Sequence, residues 1–209
     1  CTTITPRPSV PTLVLASKSV VRREVLKNAG LRFDAVAADV DETVTKNRLR
    51  QAGAGAAEIG AALAAEKAGK ISMQRPADLV IGADQILACG PEMFDKPDGL
   101  AGARRHLHHL RGRDHHLQSA VCLAQGGSVI WSHLEAPRLT MRDFSDDYIE
   151  WYLEQAGEAV LNSVGAYRLE DIGVQLFSRI SGDYFSILGL PLLPLLTVLR
   201  EHGCLDEQR

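Results

Sequence analysis

The sequence predicts an α/β domain built on a mixed β-sheet, and three observations carry that expectation. Short apolar runs bounded by polar residues interleave along the whole chain with segments of helical periodicity. Two β-like segments, HHLQSAVCLAQ (115–125) and SVIWSHLEAPRLTMRDF (128–144), are joined by Gly126-Gly127, which reads as a hairpin. No internal repeat or low-complexity linker breaks the 209 residues, a length for one domain with a substantial core or at most two small ones.

TLVLA (12–16) opens the chain as a short buried strand. Ser17 or Ser19 can cap the helix that follows, in which Val21, Val25, Leu26 and Ala29 share one face and Gly30 supplies the left-handed stop. FDAVAADV (33–40) is expected as a second strand running into the acidic DVDE (39–42), and a Gly/Ala-rich stretch leads to a helix over about 55–71. DLVIGADQILA (78–88) reads as a strand and GPEMFDKPDG as a turn-rich excursion. LAGARRHLHHLRG (100–112) is a helix with Leu107 and Leu110 inward. FSDDYIEWYLEQAG (144–157) is a helix capped by Ser145 with acids in its first turn. Gly165-Ala166-Tyr167 begins a short extended piece, and the Leu-rich end is helical from about 191 with Pro191 in a permitted first-turn position.

Charge and composition remove several functions. The chain is 45% hydrophobic and 23% charged, with a formal net charge of −3, so no overall basic field holds nucleic acid or an anionic membrane. Any anionic ligand must be gripped by a local cation cluster. The four cysteines, Cys1, Cys89, Cys122 and Cys204, have no paired spacing and read as free thiols of a reducing compartment. CTTITPRPSVPT (1–12) lacks the apolar core of a signal peptide, and FSILGLPLLPLLTVL (185–199) is too short and too interrupted to span a bilayer, so a cytoplasmic location is expected.

The chemistry concentrates in a few places. In SKSVVRR a strand end, two hydroxyls and a helix start make an anion site of free backbone N–H groups, and Arg22 adds a fork matched to phosphate. Cations at a helix start otherwise cost about 0.3–1 kcal/mol each, so Arg22 and Arg23 need a partner; the plainer alternative is an ordinary Ser19 cap with solvated arginines. Ile59, Leu63 and Lys67 fall at i, i+4, i+8, which puts Lys67 on the buried stripe, either snorkelling to water or aimed into a cleft. Asp84 interrupts an apolar strand on the face of Val80, Gly82 and Ile86, a costly place for a carboxylate unless it meets donors or a metal, or lies on a solvated edge. Glu42 follows another strand, and a carboxylate pair beside a phosphate site suits a hard divalent cation such as Mg²⁺. HLHHLRGRDHH (106–116) holds five histidines without a helical i, i+4 pair and reads as a solvated face rather than a zinc site. A GxxxxGK[ST] loop, a GxGxxG fingerprint and a GxSxG elbow are all missing.

Taken in order, LASKSVVRR (15–23), DVDE (39–42), AAEKA (64–68), VIGADQIL (80–87), DKP (95–97), GAY (165–167) and SGDYFSILGLPL (181–192) resemble the Maf family of nucleotide pyrophosphatases over nearly the whole length. The resemblance implies one Maf-like domain over 1–209, an elongated mixed sheet flanked by helices, two lobes around a central nucleotide cleft, and often a homodimer. It implies hydrolysis of nucleoside triphosphates to monophosphate and pyrophosphate with Mg²⁺ or Mn²⁺. Ser17, Ser19, Arg22, Lys67 and Lys96 would bind phosphates, and Asp84 and Glu42 would be the catalytic and metal-associated carboxylates. Specificity is implied at Val21, Gln85 and Glu170. The family's dTTP/UTP subgroup has Arg, Thr and Gln there and the 7-methyl-GTP subgroup Trp, Gln and Glu, so two of three positions favour the latter, while Val21 matches neither. The lysine that many relatives carry just before GAY is missing from NSVGAY (162–167). The alternatives to a 7-methyl-GTP enzyme are a dTTP/UTP-type pyrophosphatase and a non-catalytic nucleotide sensor regulating septum formation.

Overall fold

The computed structural model describes residues 11–205. Cys1 and most of the stretch read as lacking a signal peptide lie outside the described residues. Eight strands form one open mixed sheet flanked by helices, in the order β2-β1-β3-β5-β7-β8, with β4 added to β3 and β6 to β5.

β1 (Leu13–Leu15) is wholly buried and runs parallel to β3 (Leu79–Cys89), with Leu15 opposite Ile81. After it Ser19 caps α1 (Val20–Asn28), its hydroxyl accepting from Arg22 N at 3.3 Å. The helix stops as expected, and Gly30 takes φ 80° just beyond its end.

The expected strand over 33–40 shrinks to β2 (Asp34–Ala35), whose residues are both exposed. DVDE is not a strand end. Asp41 caps a helix that the pattern did not announce, α2 (Glu42–Gln51), accepting from Thr43 N and Val44 N at 3.1 Å. Helix α3 (Ala56–Gln74) then packs across the sheet. Small residues allow the close approach: a Cβ at Gly82 would strike the carbonyl of Ala64 and lie 2.7 Å from Ala68 Cβ.

β3 continues past β1, and β4 (Glu92–Phe94) covers only its far end, from Leu87. Residues 82–86 therefore have no strand neighbour on that edge, while the other edge is paired throughout by β5 (Asp114–Gln125). Between them α4 (Gly99–Leu110) buries Leu107 and Leu110 as predicted.

The segment expected as one strand over 128–144 is two, β6 (Ser128–Glu135) and β7 (Arg138–Met141), which share the outer edge of β5. Pro137 lies at the break and lacks the N–H that a continuous ladder needs. α5 (Asp146–Ala156) has its Ser145 cap. The GAY segment is a 3-10 turn rather than an extended piece up to Ala166, since Gly165 adopts φ 78°; only Tyr167 is extended.

β8 (Phe177–Ser181), unannounced because almost all of it is exposed, pairs with β7. α6 (Tyr184–Ile187) and α7 (Leu192–Glu201) close the chain, with Pro191 capping α7 rather than standing in its first turn.

The core divides at the gap in β3. One cluster joins β1 and α1 to α7 through Leu15, Leu26, Ile81, Leu195 and Leu199. Another gathers Leu87, Phe94, Leu107, Tyr152 and Leu176 around the opposite end of the sheet. Among the described residues no helix is long and apolar enough to cross a membrane. Burial pushes the Cys122 thiol up to about 11, which makes it inert, and Cys89 and Cys204 are also free.

Candidate active site

The unpaired stretch of β3 opens onto a cavity of about 580 Å³. Every site residue expected from the sequence lines it. Ser17, Ser19, Val21 and Arg22 come from the β1–α1 turn, Glu42 from the first turn of α2 and Lys67 from α3. β3 contributes Asp84 and Gln85, and Lys96 and Glu170 come from the connections after β4 and before β8. Arg23 does not join them; it is exposed, in a shallow recess with Lys27 and Arg32.

At the centre is an ion network. Lys67 Nζ lies 2.6 Å from Asp84 Oδ1 and 2.8 Å from Glu42 Oε1. Lys67 is 8% and Asp84 6% exposed, so the lysine does not snorkel and the aspartate is no solvated edge residue. Burial pushes the Glu42 carboxyl up, but its hydrogen bond to Lys67 and the charges of Lys67, Lys46 and Arg22 outweigh this and leave it below the usual carboxylate range.

Arg22 ties the two sides of the gap. Its Nε donates to Gly189 O at 2.7 Å and its Nη1 to Ala83 O at 3.1 Å, which leaves the remaining guanidinium donors for a ligand. Burial lowers its pKa from the ordinary value, and the charges of Asp84 and Glu42 oppose that. Ser17 Oγ accepts from Ser19 N at 3.1 Å, which holds the turn.

Gln85 is locked from behind. Its Nε2 donates to Ser119 Oγ at 2.8 Å and to the carbonyls of Ser186 and Ile187 at 3.0 Å, and Ser119 Oγ in turn donates to Ser186 O at 2.6 Å. A carbonyl cannot donate, so the amide has one orientation and its Oε1 is the atom left for a ligand. Glu170 accepts from Arg168 Nε at 3.2 Å.

The pattern missed Lys46, Arg50 and Asp95, which also line the cavity. Asp41 as a possible N-cap, with Glu42 and Lys46 at i, i+4, was the available signal. The histidine cluster needs a correction as well. His115 is fully buried on β5, with Nε2 2.8 Å from Tyr167 Oη and no partner for Nδ1 among the described residues.

The donor set fits a divalent ion in one mode. Among the described residues no group of three or more His, Cys, Asp or Glu is arranged to hold a metal by itself. Asp84 keeps Oδ2 outside the contact with Lys67, and the second Glu42 oxygen, Oε2, faces Lys46 only at 3.7 Å, beyond hydrogen-bond distance. Two carboxylates completed by substrate phosphate oxygens and water make a characteristic Mg²⁺ site, so the residues fit the metal that a polyphosphate brings.

Comparison with known proteins places the chain in a family. The family model described as Maf-like protein matches residues 12–202. A nucleoside triphosphate pyrophosphatase of Granulibacter bethesdensis is 53% identical over 193 residues, covering 92% of this chain and 98% of that one. A 7-methyl-GTP pyrophosphatase of Rhizobium etli is 47% identical over 196 residues, covering 94% and 98%. Another of that name from Brucella abortus is 46% identical over 194 residues, covering 93% and 98%. With a family match over nearly every described residue and relatives this similar along their whole length, the chain belongs to the Maf family.

Proposed function

We propose that this protein is a nucleotide pyrophosphatase, hydrolysing a nucleoside triphosphate to the monophosphate and pyrophosphate. The observation that carries the reading is the buried Lys67 shared by Asp84 and Glu42 in a cleft also lined by Arg22 and Lys96. The names of the relatives point the same way.

Each residue has a part. The hydroxyls of Ser17 and Ser19 and the free backbone N–H groups at the positive end of α1 hold phosphate oxygens together with Arg22. Asp84 orients a water and accepts its proton as the water oxygen attacks the α-phosphorus. The bond from that phosphorus to the bridging oxygen breaks, and pyrophosphate leaves with the electron pair, its charge met by Lys67 and Lys96. Asp84 and Glu42 would hold a Mg²⁺ or Mn²⁺ ion with the phosphates, and that ion supplies further charge neutralisation.

The base follows from the acceptors. Gln85 retains only Oε1 and Glu170 carries a carboxylate, so the cleft offers acceptors to a base that presents adjacent N–H donors. The N1–H and 2-amino group of guanine, kept in 7-methylguanine, meet both; adenine and cytosine set an unprotonated ring nitrogen there. A guanine nucleotide is accordingly the preferred substrate, and the relatives named 7-methyl-GTP pyrophosphatase favour its 7-methyl form.

The experiment is a panel of 7-methyl-GTP, GTP, UTP, dTTP and 5-methyl-UTP with Mg²⁺ or Mn²⁺, scored by pyrophosphate release. Hydrolysis led by the guanine nucleotides is expected. A pyrimidine-led order contradicts the base assignment, and no release from any contradicts the activity.

A further inference from the structure

Glu42, Lys46 and Arg50 fall at i, i+4, i+8 on α2 and make one face of that helix, and all three line the cavity. Glu42 belongs to the network around Lys67. Lys46 reaches Glu42 only at 3.7 Å, to Oε2, and lies closer to a second carboxylate that it shares with Arg50: Lys46 Nζ is 2.7 Å from Asp95 Oδ1, and Arg50 Nη2 is 3.4 Å from Asp95 Oδ2. Asp95 thus bridges two cations while adjoining Lys96.

Stability alone gives little reason for this cluster. The Asp95 side chain is 48% exposed and that of Arg50 35%, and ion pairs at such exposure contribute about 0–1 kcal/mol. Lys46, at 17%, is drawn well into the wall although a lysine loses hydration there. The lining as a whole is cationic in a chain whose net charge is −3: seven Lys and Arg face four carboxylates. Arg168 is met by Asp171 outside the lining as well, but the remaining cations still outnumber the cleft's own carboxylates, which favours an anionic ligand.

We propose that Lys46 and Arg50 form a subsite for the outer phosphates of the substrate and for the pyrophosphate product, with Asp95 holding both cations in the free protein and yielding them to phosphate. The proposal rests on the pyrophosphatase reading and adds a part of the site to it. Binding exchanges one carboxylate for a phosphate of higher charge and more acceptor oxygens, to which an Arg fork and a Lys ammonium are suited. Once the bond to the α-phosphorus has broken, the return of Asp95 displaces pyrophosphate from the cations, so Asp95 is a positioning residue for release.

Calorimetric titration of inorganic pyrophosphate and, separately, of a nucleoside monophosphate tests this in the presence of Mg²⁺. Lys46→Met and Arg50→Met are each expected to weaken pyrophosphate binding about tenfold, as loss of one charged contact does, and to leave the monophosphate unaffected. Asp95→Asn is expected to tighten pyrophosphate binding. Unchanged pyrophosphate affinity in both cation variants overturns the subsite, as does a wild-type protein that binds no pyrophosphate. Parallel losses for pyrophosphate and monophosphate overturn it too, since a merely structural role for the α2 contacts predicts that result. Weaker pyrophosphate binding in Asp95→Asn overturns the exchange. Triphosphate turnover is scored on the same wild-type sample: its absence, with pyrophosphate binding following the expected pattern, discards the hydrolase reading and leaves the subsite standing.

Discussion

Lys67 holds together two carboxylates that would otherwise repel each other at the floor of the cleft. Replacing it leaves the buried Asp84 unpaired, and loss of one partner from a buried pair costs about 3–5 kcal/mol. Lys67→Met should therefore lower the urea midpoint sharply at neutral pH, and the deficit should shrink as acid neutralises the two carboxylates. An unchanged midpoint would remove the pair from the stability account. Gly189 is the second residue that matters out of proportion to its size. It sits at φ 93°, and a Cβ there would lie 3.3 Å from Arg22 Nη2. Gly189→Ala should cost about 1–2 kcal/mol through its left-handed backbone, and by displacing Arg22 it should raise KM for a triphosphate more than it lowers kcat. Lys67 and Asp84 were legible in the sequence because each is a charge inside an apolar pattern. The partners of Arg22 were not, since it bonds the backbone of residues 61 and 167 positions away and no side-chain code announces a carbonyl.

At the scale of elements, the site depends on how closely α3 lies on β3. Gly82 and Ala68 set that distance, and they also set the reach from Lys67 to Asp84 two residues along the strand. Gly82→Ala puts a methyl group into the Ala64 carbonyl, so the helix must lift, and overpacking of this kind costs about 1–3 kcal/mol. The expected result is a lower melting temperature together with a loss of turnover larger than the stability loss explains; wild-type turnover in a folded variant would contradict the linkage. The buried elements were read well because their periodicity records which face is inside. α2 was not, because only Thr45 of its ten residues is buried, so it has no apolar stripe to detect. β8 escaped for the same reason, and the strand expected over 33–40 proved far shorter, only the exposed pair Asp34–Ala35, while the GAY turn was misread because its course depends on a positive φ at Gly165.

For the whole molecule, the sheet forms a spine of β3 and β5 with a separate core at each end, and the cleft lies where β1 has stopped and β4 has not begun. This fold should be sensitive to acid. Burial pushes His115 down to about 4 against an ordinary value of 6.5, so between those limits the unfolded chain binds the proton more readily. The stability due to the neutral His115 is complete above 6.5 and is lost as pH falls toward 4; at about 1.4 kcal/mol per unit the loss approaches about 3 kcal/mol. Glu42, held below its usual range, adds a loss of the same sign at lower pH. Urea midpoints at neutral pH and at about pH 5 should separate in the wild type and converge in His115→Phe; equal separation in both would clear His115 of the effect. The proposed activity depends above all on Asp84 acting at a polyphosphate bound in this cleft. Its most direct test is pyrophosphate release from 7-methyl-GTP by wild type and Asp84→Asn, with nucleotide affinity measured on the same samples. A rate about 10²–10⁴-fold lower in the variant at similar affinity is expected. Equal rates, or no pyrophosphate from the wild type, would contradict it.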